Sequence, residues 1–333
     1  MQAVLIYNPT AGQIVIRHIL NDIIAFLNSS GWSIVLQETT GHGEATGLAR
    51  SAAERGTQVV IAVGGDGTVS EVANGLIGTE VALGVLPVGT SNTWAIQMGI
   101  PTLNPYLPTK NAAKLLTDLE KSFTHPLSAN FYRKVVFDAA KVLLEYYTVN
   151  VDMGKLADRY FLMWAGIGLD ALVSERISLK EKQVLGAWAY VPEAIKTISR
   201  YPSAEIRLVL DGKEIQTKAS LIVVSNIQLY AGLLPMGIKA RINDAKLDVC
   251  VFKGDGFFTF LQHIIKVVSH RHSSDSRIDY YQCRRLSIES TRELPIHLDG
   301  EPFTKTPATI VTVPSTLKVI VPRKRPSALL ARS

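Results

Sequence analysis

The sequence predicts an N-terminal parallel α/β domain followed by a mainly β, sandwich-like domain. Three observations carry that prediction. Short apolar runs alternate with helically spaced ones over the first hundred or so residues, four of those runs lead into turn-forming clusters, and strand patterns dominate from about residue 148. A chain of 333 residues exceeds one ordinary core, so two domains are the natural expectation. With 47% hydrophobic and 19% charged residues, the chain has apolar material for two cores and too little charge for disorder.

The elements follow in order. Residues 3–7 form an apolar strand that ends in Asn8-Pro9-Thr10-Ala11-Gly12. Ile19, Leu20, Ile23, Ile24 and Leu27 then recur at helical spacing. A second strand over 32–36 leads through Thr39-Thr40-Gly41-His42-Gly43 into a helix ending near Arg55-Gly56. A third, 59–63, runs into Gly64-Gly65-Asp66-Gly67-Thr68 and a helix over 69–76; a fourth, 81–86, runs into Pro87-Val88-Gly89-Thr90-Ser91-Asn92. Continuous apolar strands separated by helices indicate a parallel sheet covered on both faces. Ligands of such sheets sit beyond the carboxyl ends of the strands, where all four clusters fall.

Farther on, strands are expected at 147–151, 206–210, 220–224, 247–252, 285–289 and 309–313, with helices at 192–199 and 256–270. In the stretch 123–147, Phe131, Val135, Ala139, Val142, Leu143 and Tyr146 repeat at helical spacing. The expected division is an α/β domain over 1–122, an inserted helical hinge segment over 123–147, a β-rich domain over 148–322 and a basic tail over 323–333. The inserted helix reads either as a packing helix or as an amphipathic element docking on membrane, lid or partner subunit, packing being the commoner case.

Composition excludes several function classes. Cys250 and Cys283 lie far apart, which fits a reducing cytoplasm without a disulfide framework. Thirty-five basic against 29 acidic residues give +6, a charge that favours phosphate-bearing ligands or an anionic membrane face. Dense basic stripes interleaved with aromatics are absent, so nucleic acid is not an expected partner. No apolar run reaches the about 18–20 residues that span a bilayer, and the start of the sequence reads as a strand and not as a signal peptide.

The chemistry concentrates in the glycine turns. Glycines let backbone amides approach a ligand closely, and a helix N-terminus favours an anion, so phosphate is the natural guest of Gly64-Gly65-Asp66-Gly67-Thr68. One such turn alone reads equally well as a tight turn with a helix cap. Here Asn8-Pro9-Thr10-Ala11-Gly12 and Gly89-Thr90-Ser91-Asn92 lie on neighbouring strands, and Thr40, Thr68 and Thr90 supply hydroxyl donors. Asp66 is placed to hold magnesium bridging the phosphates, through water. The lysine-bearing P-loop pattern is absent, and Gly41-His42-Gly43 is only a near miss to a dinucleotide fingerprint.

These turns, with Val69-Ser70-Glu71-Val72-Ala73-Asn74-Gly75 and Leu86-Pro87-Val88 beside them, resemble the signatures of the diacylglycerol kinase catalytic family. That family includes bacterial diacylglycerol kinases, related bacterial lipid kinases and sphingosine kinases. The resemblance continues through residues 161–170, ending Gly166-Ile167-Gly168-Leu169-Asp170, then Ser225-Asn226 to Gly232, Leu247-Asp248-Val249 and Leu298-Asp299-Gly300-Glu301. It implies an ATP- and Mg2+-dependent lipid kinase, a transferase of lipid metabolism and phospholipid biosynthesis that is cytoplasmic and peripherally membrane-associated. Its partner would be a lipid at the membrane surface, with a homodimer possible. Carried over by position, Asn8, Pro9, Thr10, Ala11, Gly12, Gly64, Gly65, Asp66, Gly67 and Thr68 would cradle ATP. Thr40, Glu71, Gly89, Thr90 and Asn92 would add contacts, with Asp66 organising magnesium and phosphate. Glu301 would be the general base for the lipid hydroxyl. A structural magnesium would sit near Asp244 and Leu247. Where well-studied relatives carry an aspartate after the 89–92 turn, this chain has Thr93.

Two other readings stand beside this one. NAD kinases and phosphofructokinases share a Gly-Gly-Asp-Gly loop on a related fold, which would make the substrate soluble; a catalytically silent nucleotide- or lipid-binding protein is the other. Residues 161–170 and Leu298-Asp299-Gly300-Glu301 favour the lipid branch. His263, His270 and His272 read as the polar side and end of a helix. Trp164, Trp188 and Tyr190 read as core, and Arg323-Lys324-Arg325 as a solvated tail.

Overall fold

A computed structural model describes residues 1–11, 17–102, 129–169, 171, 201–230, 234–237, 239–255, 259, 276–324 and 329. Gly12, Asp170, Trp188, Tyr190, Gly232, His263, His270, His272, Arg325 and the helix expected at 192–199 lie outside them, as does that at 256–270 but for residue 259.

The N-terminal half alternates as its sequence pattern dictates. Strands β1 (Gln2–Tyr7), β2 (Ser33–Glu38), β3 (Val59–Gly64) and β4 (Ala82–Pro87) are interleaved with helices α1 (Arg17–Ser29), α2 (Glu44–Glu54) and α3 (Asp66–Leu76). The strands pair in parallel in the order β2-β1-β3-β4. β3 and β4 are buried at every residue, as expected of strands covered on both faces. After β4 a short helix, α4 (Thr93–Met98), is followed by α5 (Ala129–Glu145).

Helix α5 is the helix expected within 123–147, and its apolar side is a packing face. Val135, Val136, Ala139, Ala140, Val142 and Leu143 are buried. Phe137 meets Phe26 of α1 with ring centroids 5.7 Å apart, and Arg133 pairs with Asp22. Leu143 occupies the space above Gly84 of β4, where an added Cβ would come within 2.7 Å of its Cδ2. Only Phe131 and Tyr146 of the predicted apolar set stand exposed. The structure thus shows the packing face that the commoner reading of this helix expects. Leu143→Ala is expected to destabilise the protein by about 2–5 kcal/mol in chemical denaturation. Liposome binding should not change; weaker binding would favour the membrane role.

The second half comprises β5 (Thr148–Leu156), β6 (Arg159–Phe161), β7 (Trp164–Gly168), β8 (Ala204–Leu210), β9 (Lys213–Ala219), β10 (Leu221–Ser225), β11 (Leu229–Tyr230) and β12 (Leu234–Pro235). β13 (Leu247–Phe252), β14 (Ile278–Cys283), β15 (Arg285–Ser290), β16 (Pro295–Leu298), β17 (Glu301–Lys305) and β18 (Ala308–Ile320) complete it. The long strand β18 turns back to lie parallel to β4, through Lys318↔Ala82 and Val319↔Leu83. The two halves thus share one ten-stranded sheet, ordered β2-β1-β3-β4-β18-β15-β8-β9, with β5 and β6 branching from β18. A six-stranded sheet, β14-β13-β10-β7-β16-β17, pairs antiparallel throughout.

One hairpin of that sheet positions the site. Leu298 and Glu301 pair across a two-residue turn in which Asp299 and Gly300 have φ of 50° and 87°. Positive φ at both central positions is the primed turn that matches strand twist, and Asp-Gly is its favoured pair. The turn fixes Glu301 as the first residue of β17, at the edge of the sheet.

Candidate active site

The three turns beyond β1, β3 and β4 form one continuous rim. Asn8 Oδ1 accepts from the Thr10 amide (3.0 Å) and hydroxyl (2.7 Å), while Asn8 Nδ2 donates to Thr68 Oγ1 at 3.3 Å. The Ala11 amide closes the turn onto the Asn8 carbonyl at 3.1 Å, and Pro9 stands exposed on it. The third turn is closed by Asn92, whose Oδ1 accepts from the Gly89 amide at 3.0 Å and whose Nδ2 donates to the Gly89 carbonyl at 2.7 Å. Thr90 is exposed on its crest. A Cβ on Gly89 would lie 2.4 Å from Gly65 Cα, so the second and third turns touch backbone to backbone, an approach that only glycine permits. Gly64 and Gly65 lead into α3, whose N-terminus has no side-chain cap.

Asp66 joins this rim to α4. Its Oδ2 accepts from the Thr93 amide at 2.9 Å and its Oδ1 from the Trp94 amide at 3.0 Å, so the carboxylate caps that short helix. Burial pushes the Asp66 carboxyl up, against the pull of these two donors, and Asp299 adds repulsion. The Thr93 side chain is fully buried beside it. A second carboxylate there would face the first one without solvent between them, which gives a physical reason for a neutral residue at this position.

Two expected phosphate contacts are engaged elsewhere. The Thr40 amide and hydroxyl both donate to Glu44 Oε2, at 2.6 and 2.9 Å. Glu71 accepts from the Gly43 amide at 3.0 Å and the Ala45 amide at 3.2 Å, anchoring the start of α2 against α3.

The opposite wall is built around Asp299. This buried carboxylate accepts from the Ser70 hydroxyl of α3 (2.6 Å) and from the amides of Leu162 (2.8 Å), Met163 (2.9 Å) and Trp164 (3.0 Å). Burial pushes its carboxyl up, against those four donors. One turn along α3, Asn74 pairs with both backbone groups of Tyr160, donating at 3.0 Å and accepting at 3.2 Å. Helix α3 therefore carries the turn at residues 64–68 at its start and clasps the hairpin of Glu301 along its flank.

The result brings Glu301 against the turn at residues 64–68. A Cβ on Gly67 would lie 3.9 Å from Glu301 Oε1. That oxygen accepts from His42 Nε2 at 2.8 Å, and Oε2 is bonded by Arg159 Nη2. His42, Glu71 and Glu301 bring one ligand atom each within 4.8 Å of one another, a spacing that can hold a metal ion.

Asp244 and Leu247 belong to a different region. Asp244 Oδ1 accepts from the Lys246 amide at 3.1 Å, and Leu247 is buried opposite Cys283. Asp152 binds the amides of Ala245 and Ser315 at 2.6 and 2.8 Å. Burial pushes the neighbouring Asp248 carboxyl up to about 7, and Asp244 adds repulsion to it.

Comparison with known proteins follows the same division. A family model described as the diacylglycerol kinase catalytic domain matches residues 2–121, and one described as the YegS C-terminal NAD kinase beta sandwich-like domain matches residues 164–321. The chain belongs to the bacterial diacylglycerol kinase catalytic family. A diacylglycerol kinase of Bacillus subtilis (strain 168) is 26% identical over 330 residues, covering 98% of this chain and 99% of that one. One of Staphylococcus aureus (strain JH9) is 27% identical over 334 residues, covering 96% and 92%. The crystal structure of a proposed diacylglycerol kinase from Bacillus anthracis str. Sterne shares the fold, with a TM-score of 0.74, 24% identity and 97% coverage of each chain. Family and fold together support a kinase-type phosphotransferase.

Five of these site residues carry no role in the sequence reading. Ser70 and Asn74 lie i,i+4 on α3, a spacing that places them on one face. Asp299 was legible as the first residue of an Asp-Gly hairpin turn. Arg159, a lone arginine before a short strand, has no distinguishing pattern. His42 stood only in the discounted Gly41-His42-Gly43 fingerprint.

Proposed function

We propose that this chain is an ATP-dependent lipid kinase that phosphorylates a hydroxyl of diacylglycerol or a related lipid, with Glu301 as general base. The observation that carries the reading is the convergence of Glu301 on the Gly67 turn, from opposite ends of the sequence. The fit to ATP rests on the uncapped N-terminus of α3 and on Gly67 beside it, where an added Cβ would meet nothing nearer than Glu301 Oε1 at 3.9 Å.

The residues also fit a magnesium ion carried with the nucleotide. Glu71 and Glu301 offer carboxylate oxygens beside His42, and Asp66 retains lone pairs for a water of the ion's shell. Bound there, magnesium would neutralise phosphate charge. The separate acidic group of Asp244, with the Leu247 segment, is the proposed structural cation site.

In the proposed reaction the lipid hydroxyl oxygen bonds to the γ-phosphorus, and the bond from that phosphorus to the β–γ bridging oxygen breaks. ADP leaves with the electron pair, and the hydroxyl proton passes to the Glu301 carboxylate. Asp299 holds Glu301 at the transfer point, and α4, capped by Asp66, ties the rim to the second half. Gln97 of α4 accepts there from the amides of Gln228 and Leu229, at 2.7 and 2.9 Å. This geometry suits an interdomain closure that excludes water.

No helix among the described residues is long and apolar enough to cross a membrane. The enzyme is proposed to meet its lipid from the cytoplasmic membrane surface. Incubation with a total lipid extract, ATP and magnesium, followed by mass spectrometry, should yield a phosphorylated lipid. Phosphorylation of NAD in place of any lipid would favour the soluble-substrate reading, and no product from either would favour the silent one.

A further inference from the structure

Arg159 stands at the proposed base without a part in the transfer described above. Its guanidinium bonds Glu301 Oε2 and lies 5.6 Å from the ring centroid of Phe303. Phe303 is two residues beyond Glu301 on β17, across a shift in the pairing register, and both meet the same guanidinium. The backbone beside Arg159 is fixed to the phosphate-turn helix, because both polar groups of Tyr160 are bonded to Asn74 of α3. The side chain itself is 29% exposed.

Two further facts bear on its role. Residues 8–11, 64–68 and 89–92, which make up the rim, contain neither lysine nor arginine. Phosphoryl transfer spreads charge over the equatorial oxygens of the moving group, and a positioned cation is a strong source of stabilisation there. In addition, both Glu301 oxygens are engaged, one by His42 and the other by Arg159. A carboxylate held in this way keeps only its remaining lone pairs for a substrate proton until one partner moves.

We propose that Arg159 is a further catalytic residue, masking Glu301 in the resting site and shifting its guanidinium to the transferred phosphoryl group once nucleotide is bound. One movement then frees Oε2 for the hydroxyl proton and delivers positive charge to the γ-phosphoryl oxygens. The ring of Phe303 is a platform along which the flat guanidinium can move without losing its apolar contact. The inference rests on the lipid kinase reading.

The test compares wild type, Arg159→Ala and Arg159→Lys on the phosphorylated lipid identified from the extract. Arg159→Ala is expected to lower kcat by about 10²–10³-fold with little change in the KM for ATP. Added guanidinium ion should recover about tenfold or more of that loss, and Arg159→Lys should stay about tenfold or more below wild type because an ammonium lacks the planar fork. A purely structural role would lower thermal stability and would not respond to guanidinium. If Arg159→Ala does not fold, Arg159→Lys decides, with wild-type kcat overturning the proposal. A wild-type enzyme that forms no phosphorylated lipid overturns both this inference and the reading beneath it. Activity that survives Arg159→Ala, or a loss that guanidinium does not recover, overturns the inference alone.

Discussion

Glu301→Gln is expected to lower lipid phosphorylation by about 10²–10⁴-fold, the usual contribution of a positioned general base. The substitution keeps the shape of the side chain and its place at the start of β17, and it removes the negative charge that accepts the proton. ATP binding should change little, because in the proposed site the nucleotide would be held by backbone amides of the glycine turns. Single-turnover kinetics and calorimetric titration of ATP separate the two effects. A variant that turned over at the wild-type rate would remove Glu301 from the role of base. A variant that lost ATP affinity as steeply as turnover would show that the carboxylate acts on the nucleotide instead.

Asp299→Ala should produce the largest loss of stability, about 3–5 kcal/mol. Four donors end on this buried carboxylate, one from α3, two from the segment joining β6 to β7 and one from the first residue of β7. Removing it strands all four away from water. Alanine also fits poorly at a φ of 50°, so the hairpin that presents Glu301 would lose its turn. Asp299→Asn isolates the electrostatic part, since asparagine tolerates that conformation and keeps one acceptor oxygen. Its stability should fall between those of alanine and wild type, and its kcat should fall with it, because a displaced hairpin misplaces the base. Urea denaturation measures the first effect. An Asp299→Ala protein as stable as wild type would mean that the clasp between α3 and the hairpin is not what holds the site together.

The legible parts of the fold were those with a repeated local signal. β3 and β4 are unbroken apolar runs buried at every residue, and α1 and α3 carry helical spacing, so each was found within a few positions. Harder to see were elements whose partners lie far away. Strands β16 and β17 are short and contain Pro295, His297, Pro302 and Lys305, so their pattern is weak; they exist because Asp299 and the antiparallel partner β7 hold them. The pairing of β18 with β4 involves two register positions and leaves no mark in either strand. At the site, the turns declared themselves by composition. Their mutual contact depended on the absence of side chains at Gly65 and Gly89, and the opposing pair of His42 and Arg159 depended on tertiary approach alone. A local pattern cannot encode such an approach.

The central claim is that the glycine rim and Glu301 are two sides of one phosphoryl-transfer site. A crystal structure of the protein with magnesium and a non-hydrolysable ATP analogue tests it most directly. The γ-phosphate is predicted to lie between the amides at the start of α3 and the carboxylate of Glu301. An analogue bound with its phosphates away from residues 64–68, or with Glu301 turned from the γ-phosphate, would contradict it.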